Sequence, residues 1–285
     1  MSPQAAIEIG VYSLLVPAAV AIAMFFGLGW LLPDGIAKRY CSGVALSLGV
    51  FVGFAVSPMT KALWPAQVWE WIPYLGLLAA FVAGLSLADA VTRVERWIVV
   101  ILIATTAAWT IVPLWERLAD ARLTHVATLA AGISALAILL APLTDRIAGR
   151  AFTFSLMLAA AATALLIMSE WSEILGRSGA LPAGALAGCG AALLIAKPGH
   201  TPRCLVLPYA IIVGCYAYLG VIYPQPPLTP LAVMPFAPLA LWLCTVGPIR
   251  RFTGVRAIIA QAACVMVPLV IIAAILLSRS AGDEW

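Results

Sequence analysis

Charge is what this sequence has least of. Only 10% of its 285 residues are Asp, Glu, Lys or Arg, while 64% are hydrophobic. A soluble domain carries about 25% charged and about 45–50% apolar residues. A water-facing shell could not cover the excess, so the mean hydropathy of +1.07 excludes a soluble domain of ordinary composition. Catalytic signatures are missing too. There is no HExxH, no nucleophile elbow and no phosphate loop. The two histidines, His125 and His200, are loop residues. The six cysteines form no CxxC and no Cys/His cluster with metal spacing, so they read as buried free thiols acting as small hydrophobes. No cofactor and no metal is expected. The start, MSPQAAIEIG, lacks the positive n-region and clear cleavage site of a signal peptide, so the first apolar run reads as a retained helix.

What is present is a series of apolar runs near the length that crosses a bilayer, about 20 residues. Ten are found, at 10–32, 41–58, 72–91, 97–114, 125–143, 151–169, 179–196, 204–223, 231–247 and 257–277. The fold class is all-α, a single polytopic membrane bundle of about ten helices.

Basic residues orient it. The loops after the odd-numbered spans carry Lys38 and Arg39; Arg93 and Arg96; Arg146 and Arg150; Lys197 and Arg203; and Arg250, Arg251 and Arg256. The other side has only Lys61, Arg117, Arg122, Arg177 and Arg279. Cytoplasmic loops carry the Lys/Arg excess, which places both termini on the non-cytoplasmic side. The same placement accounts for the pI of about 8.8 without nucleic acid. A multi-pass protein of a bacterial inner membrane is the expected setting, with membrane lipids as neighbours. Two inverted halves of five would demand matching helix breaks in spans four and nine. Span nine has Pro235 and Pro238 inside, whereas span four has only Pro113 at its end, so the match fails.

Small residues mark where helices approach. Gly49 and Gly53 form one GxxxG, Gly184 and Gly188 another. The stretch GALAGCGAA from Gly184 places span seven in the bundle interior. The alternative is that these glycines meet other membrane subunits or a second copy of the chain.

Three sets of residues are candidates for function. At the outer rim, Trp69, Glu70 and Trp71, Trp115 and Glu116, and Glu170, Trp171 and Glu173 set carboxylates beside tryptophans in three successive loops. Such a cluster could bind a sugar, an amine or a cation, although an aromatic belt at the headgroup level explains the rings alone. In spans eight and nine, Pro208, Tyr209, Tyr216, Tyr218, Pro235 and Pro238 combine broken helices with phenols, the signature of a pathway or pocket. On the inner face, Lys197, His200, Arg203, Arg250, Arg251 and Arg256 could hold an anionic lipid headgroup.

Deep ionisable groups are absent from the spans, which argues against an ion-coupled pump. The first reading is a transporter or flippase-like protein for an apolar or weakly polar substrate. The second is a non-catalytic subunit or scaffold of a membrane complex. An enzyme acting at the outer surface through Glu70, Glu116, Glu170 or Glu173 ranks last. The topology is checked by reporter fusion at Asp120. A reporter active only outside the cytoplasm is expected to work there, and cytoplasmic activity at that residue would overturn the orientation.

Overall fold

The computed structural model describes residues 7–58, 60, 63–87, 91–170, 172–196, 202–224, 229–246 and 254–280. Among these described residues ten longer helices follow one another, with short 3-10 turns between some of them: α1 (Ile9–Leu31), α2 (Asp34–Val56), α3 (Ile72–Ser86), α4 (Arg93–Ile111), α5 (Arg122–Leu140), α6 (Gly149–Glu170), α7 (Glu173–Ile195), α8 (Val206–Ile222), α9 (Thr229–Thr245) and α10 (Gly254–Ser280). Among the described residues no strand occurs, and eight helices are long and apolar enough to cross a membrane. Two apolar segments, Tyr40–Val56 within α2 and α9 itself, are shorter. The chain is an all-α polytopic membrane bundle.

Local chemistry sets the helix ends. Leu32 is extended ahead of Pro33, because a proline ring disfavours the helical conformation of the residue before it, and α2 begins at once at Asp34. Lys38 and Arg39, expected in a loop, therefore lie within the first turns of α2. Thr92 and Glu95 form a capping box, so α4 starts four residues before the expected 97. It stops at Ile111 because Val112 is extended before Pro113.

Helix α9 departs furthest from regular form. Thr229–Leu241 is a 3-10 helix of 13 residues, followed by one α-helical turn. Such runs rarely exceed 3–4 residues. At about 2.0 Å per residue the 3-10 stretch spans roughly 26 Å and the α turn adds roughly 6 Å. Seventeen residues thus cover about the 30 Å hydrocarbon core, which they would miss as an α-helix. Pro235 and Pro238 lie inside this run. In a 3-10 pattern Pro238 is the residue whose N–H would have met the Pro235 carbonyl. That carbonyl is taken instead by the Tyr209 hydroxyl of α8, which donates to it at 3.0 Å.

Close backbone packing surrounds α1. A seven-residue π-helical stretch, Ile9–Leu15, precedes Pro17 and eases the chain past the proline ring. A Cβ on Gly49 of α2 would lie 2.7 Å from the Pro17 carbonyl oxygen, and one on Gly53 would lie 2.6 Å from the Pro17 ring. On the other side, a Cβ on Gly184 of α7 would lie 2.6 Å from the Leu14 carbonyl oxygen and 2.8 Å from that of Ser13. One on Gly188 would strike the Ala18 carbonyl. Both glycine pairs therefore receive the same helix, with α2 and α7 also touching each other. Helix α8 threads the middle and touches α3, α5, α6, α7 and α9. The Ser47 hydroxyl donates to the Gly76 carbonyl at 2.8 Å, joining α2 to α3.

Gly184→Leu is expected to lower stability by about 1–3 kcal/mol or prevent folding, as overpacking against backbone allows little relief. Gly190→Ala should be silent, because its Cβ would meet only Thr153 Cγ2, at 3.9 Å. Thermal unfolding in detergent checks both.

Candidate functional site

The outer residues are placed by short 3-10 turns. Val68–Trp71 carries Trp69, Glu70 and Trp71 into α3. The Glu70 carboxylate folds back and accepts the backbone N–H groups of Ala66 at 2.6 Å and Gln67 at 3.0 Å. Its charge is used in a capping box with Gln67. The rings pack edge to face on protein: Trp69 on Phe54 and Trp71 on Trp64, each at 6.0 Å between centroids. Tyr74 donates its hydroxyl to the Leu63 carbonyl. Trp115 meets Tyr223 at 4.7 Å, joining the α4–α5 connection to the end of α8. Glu116 is exposed at the start of the turn Glu116–Ala121. Glu173 pairs with Arg177 one turn on, and Arg177 also holds Glu8 at 2.9 Å. Trp171 and the Glu170 side chain lie outside the described residues.

Glu8 thus anchors the start of α1 on α7. The Arg177 side chain is only 12% exposed, so this ion pair sits where solvent screens it poorly. A basic residue at the start of span seven was visible in the sequence. Its partner, 169 residues away, was not.

In the spans, Pro208, Tyr209, Tyr216, Pro235 and Pro238 are all buried, and α8 is the most enclosed of the long apolar helices. The Tyr209 to Pro235 hydrogen bond brings two of the predicted residues together. The Tyr216 hydroxyl is buried with no partner among the described residues. Its ring lies over Gly179, 3.9 Å from where a Cβ would stand. Tyr218, half-buried, has its ring 6.1 Å from that of His125. The threonines of α4 turn back on their own helix: Thr105, Thr106 and Thr110 donate to the carbonyls of Ile101, Leu102 and Thr106.

Of the inner basic set, Arg203 is bound to Asp145 at 2.6 Å and Arg256 is exposed. Lys197, His200, Arg250 and Arg251 lie outside the described residues. The thiols also come into contact. Cys204 Sγ lies 2.9 Å from the Ser42 hydroxyl and 3.2 Å from the Gly43 N–H, and Cys244 Sγ lies 3.4 Å from Cys264 Sγ. All six cysteines are free.

A half-open groove of about 550 Å³ lies at the end that carries Arg146, Arg150 and Arg256. Its lining comes from the start of α6, the end of α7 and the start of α10. Ala187, Gly190, Ala191 and Leu194 of α7 line it, together with Ala151 and Phe154 of α6. Ala187, Gly190 and Ala191 belong to the same small-residue run as Gly184 and Gly188 but are centred about a quarter turn round the helix from them. The polar lining residues are Arg150, Ser155 and Gln261. Ser155 spends its hydroxyl on the Ala151 carbonyl at 2.9 Å. Arg150 is exposed, and neither it nor Gln261 has a hydrogen bond or ion pair among the described residues. Two neighbouring helices contain a proline near mid-helix, Pro182 in α7 and Pro268 in α10. Nothing in the sequence of α10 shows that α6 and α7 face Gln261.

These features define a polytopic α-helical membrane protein with an amphipathic groove at its basic end. Compared with known proteins, the chain matches no family model, no curated protein and no solved structure.

Replacing Tyr209 by Phe is expected to cost about 1–3 kcal/mol, since the Pro235 carbonyl loses its donor in the core. Tyr216→Phe should be neutral or stabilising, because it removes a hydroxyl with no partner. Paired melting curves test the contrast.

Proposed function

We propose that the chain is a transporter or flippase-like protein that admits an apolar or weakly polar, amphipathic substrate sideways from the membrane. The observation that carries this reading is the groove: about 550 Å³, half-open and mostly apolar, with Arg150, Ser155 and Gln261 as its polar lining residues. Ligand sites commonly occupy about 300–1,000 Å³, with few polar groups in an apolar lining. Orientation by the Lys/Arg excess puts this end at the cytoplasmic leaflet. Pro182 and Pro268 separate the groove-lining halves of α7 and α10 from their opposite halves, and prolines are the usual sites of helix bending. The low charge of the spans suits such a substrate better than an ion.

The second reading, a subunit of a membrane complex, rests on the same groove. A surface of Ala and Gly also suits a partner helix. Native mass spectrometry after gentle solubilisation separates the two. A stoichiometric protein partner would make the chain a subunit, whereas retained lipid or small molecule would favour transport. An outer-surface enzyme is less supported, because Glu70 is used as a cap and Glu173 in an ion pair.

The direct test is reconstitution in vesicles with fluorescent lipids quenched from outside. The protein is expected to speed lipid exchange between leaflets. Gly190→Leu, which fills the groove from a position where a Cβ has room, should return the rate to that of protein-free vesicles. Unchanged exchange in that variant would sink the proposal.

A further inference from the structure

We infer that the groove is a binding site for one anionic phospholipid, with the phosphate on Arg150, the upper acyl chain along α7, and Gln261 hydrogen-bonded to an ester or headgroup oxygen. The inference rests on reading the groove as a ligand site and names the class of ligand.

Its dimensions fit the region below a headgroup. From Arg150 to Met157 on α6, and from Ala187 to Leu194 on α7, the lining runs seven residues, or about 10 Å along each helix. That is about a third of the hydrocarbon core. It matches the glycerol region and first part of a chain, not a whole lipid.

The walls are suited to an acyl chain. Ala151, Ala187, Gly190, Ala191 and Ala262 present short side chains to a molecule lying along the helices. Dispersion contacts with such a surface are numerous and need no fixed register.

The polar lining residues specify what else the ligand must carry. Ser155 is satisfied inside its own helix, which leaves Arg150 and Gln261 as the lining groups that need partners. A Gln amide facing hydrocarbon is costly without a hydrogen bond. A guanidinium binds phosphate oxygens in a bidentate, weakly hydrated geometry. A phospholipid supplies both acceptors beside an apolar chain. A neutral lipid would leave Arg150 unmatched, and a partner helix would need an acid and an amide partner in register.

Net negative charge follows from the surroundings. Asp145, five residues before Arg150, is occupied by Arg203. Arg146 lies over the Trp242 ring at 4.7 Å, and Arg256, one residue before the lining residue Ala257, is exposed. Arg150 in the lining thus has two further arginines within a few residues of lining positions, and basic pockets between spans at the cytoplasmic side favour anionic headgroups.

The test uses the full chain, purified in detergent and offered equal amounts of phosphatidylglycerol and phosphatidylcholine with identical acyl chains. Native mass spectrometry counts the lipids retained. The expected result is one phosphatidylglycerol per chain, preferred several-fold over phosphatidylcholine. Arg150→Gln should erase the preference, and Gly190→Leu should remove the tightly retained lipid altogether. Arg150 is exposed, so its variant keeps the fold, and circular dichroism confirms this for both variants. Equal retention of the two lipids, or a preference that survives Arg150→Gln, would overturn the inference. Selective retention without leaflet exchange in vesicles supports the site and defeats only the transport reading. Exchange that proceeds with no retained anionic lipid defeats the site and leaves transport standing.

Discussion

The seat of α1 between two pairs of glycines constrains everything around it. Its backbone from Ser13 to Ala18 lies close against Gly184 and Gly188 on one side and Gly49 on the other, where the Pro17 ring also meets Gly53. Lipid tails are as apolar as leucine, so helices in a membrane gain little by hiding apolar surface from one another. Close backbone approach and the dispersion it brings must do the work. The arrangement commits one face of α7 to α1. The neighbouring face, with Ala187, Gly190 and Ala191, is left to line the groove with α6 and α10. The Glu8–Arg177 pair fixes the same two helices at the end away from the groove.

The second constraint is the backbone's need for hydrogen bonds where no water can supply them. Prolines break the supply, and the chain answers two of these breaks visibly. A π-helical stretch precedes Pro17, and the Tyr209 hydroxyl takes the carbonyl that Pro238 leaves without a donor. The 3-10 winding of α9 has a further effect, since it lengthens a segment otherwise too short to reach across the hydrocarbon. Hydroxyls elsewhere are used in the same economical way. The threonines of α4 and Ser155 of α6 return to their own helices, so they add no polarity to the membrane face.

Charge is distributed by the same logic. At the end away from the groove Glu70 caps a turn and Glu8 and Glu173 share Arg177, while Glu116 and Asp120 are exposed. At the basic end Asp145 neutralises Arg203, while Arg150 and Arg256 remain exposed. Unmatched positive charge thus coincides with the apolar groove. That coincidence, and not any catalytic constellation, is what makes the basic end the better place to look for function.

Composition and run length by themselves determined that the chain is a helical membrane bundle, because apolar content on this scale has only lipid as a solvent. The ten apolar runs each correspond to a helical segment, with ends displaced by cap and proline chemistry such as Thr92–Glu95 and Leu32–Pro33. The glycine pairs were legible as close-approach sites, since a missing Cβ is a local property. Their common partner was not, because it lies more than thirty residues away from the nearer pair in sequence. The same holds for Arg177 with Glu8, for Tyr209 with Pro235, and for the meeting of Arg150, Gly190 and Gln261 around one groove. Each residue's polarity or size is written in the chain. Whether that polarity is spent on a neighbour or left facing a groove depends on which helices lie side by side, and only the tertiary packing decided that.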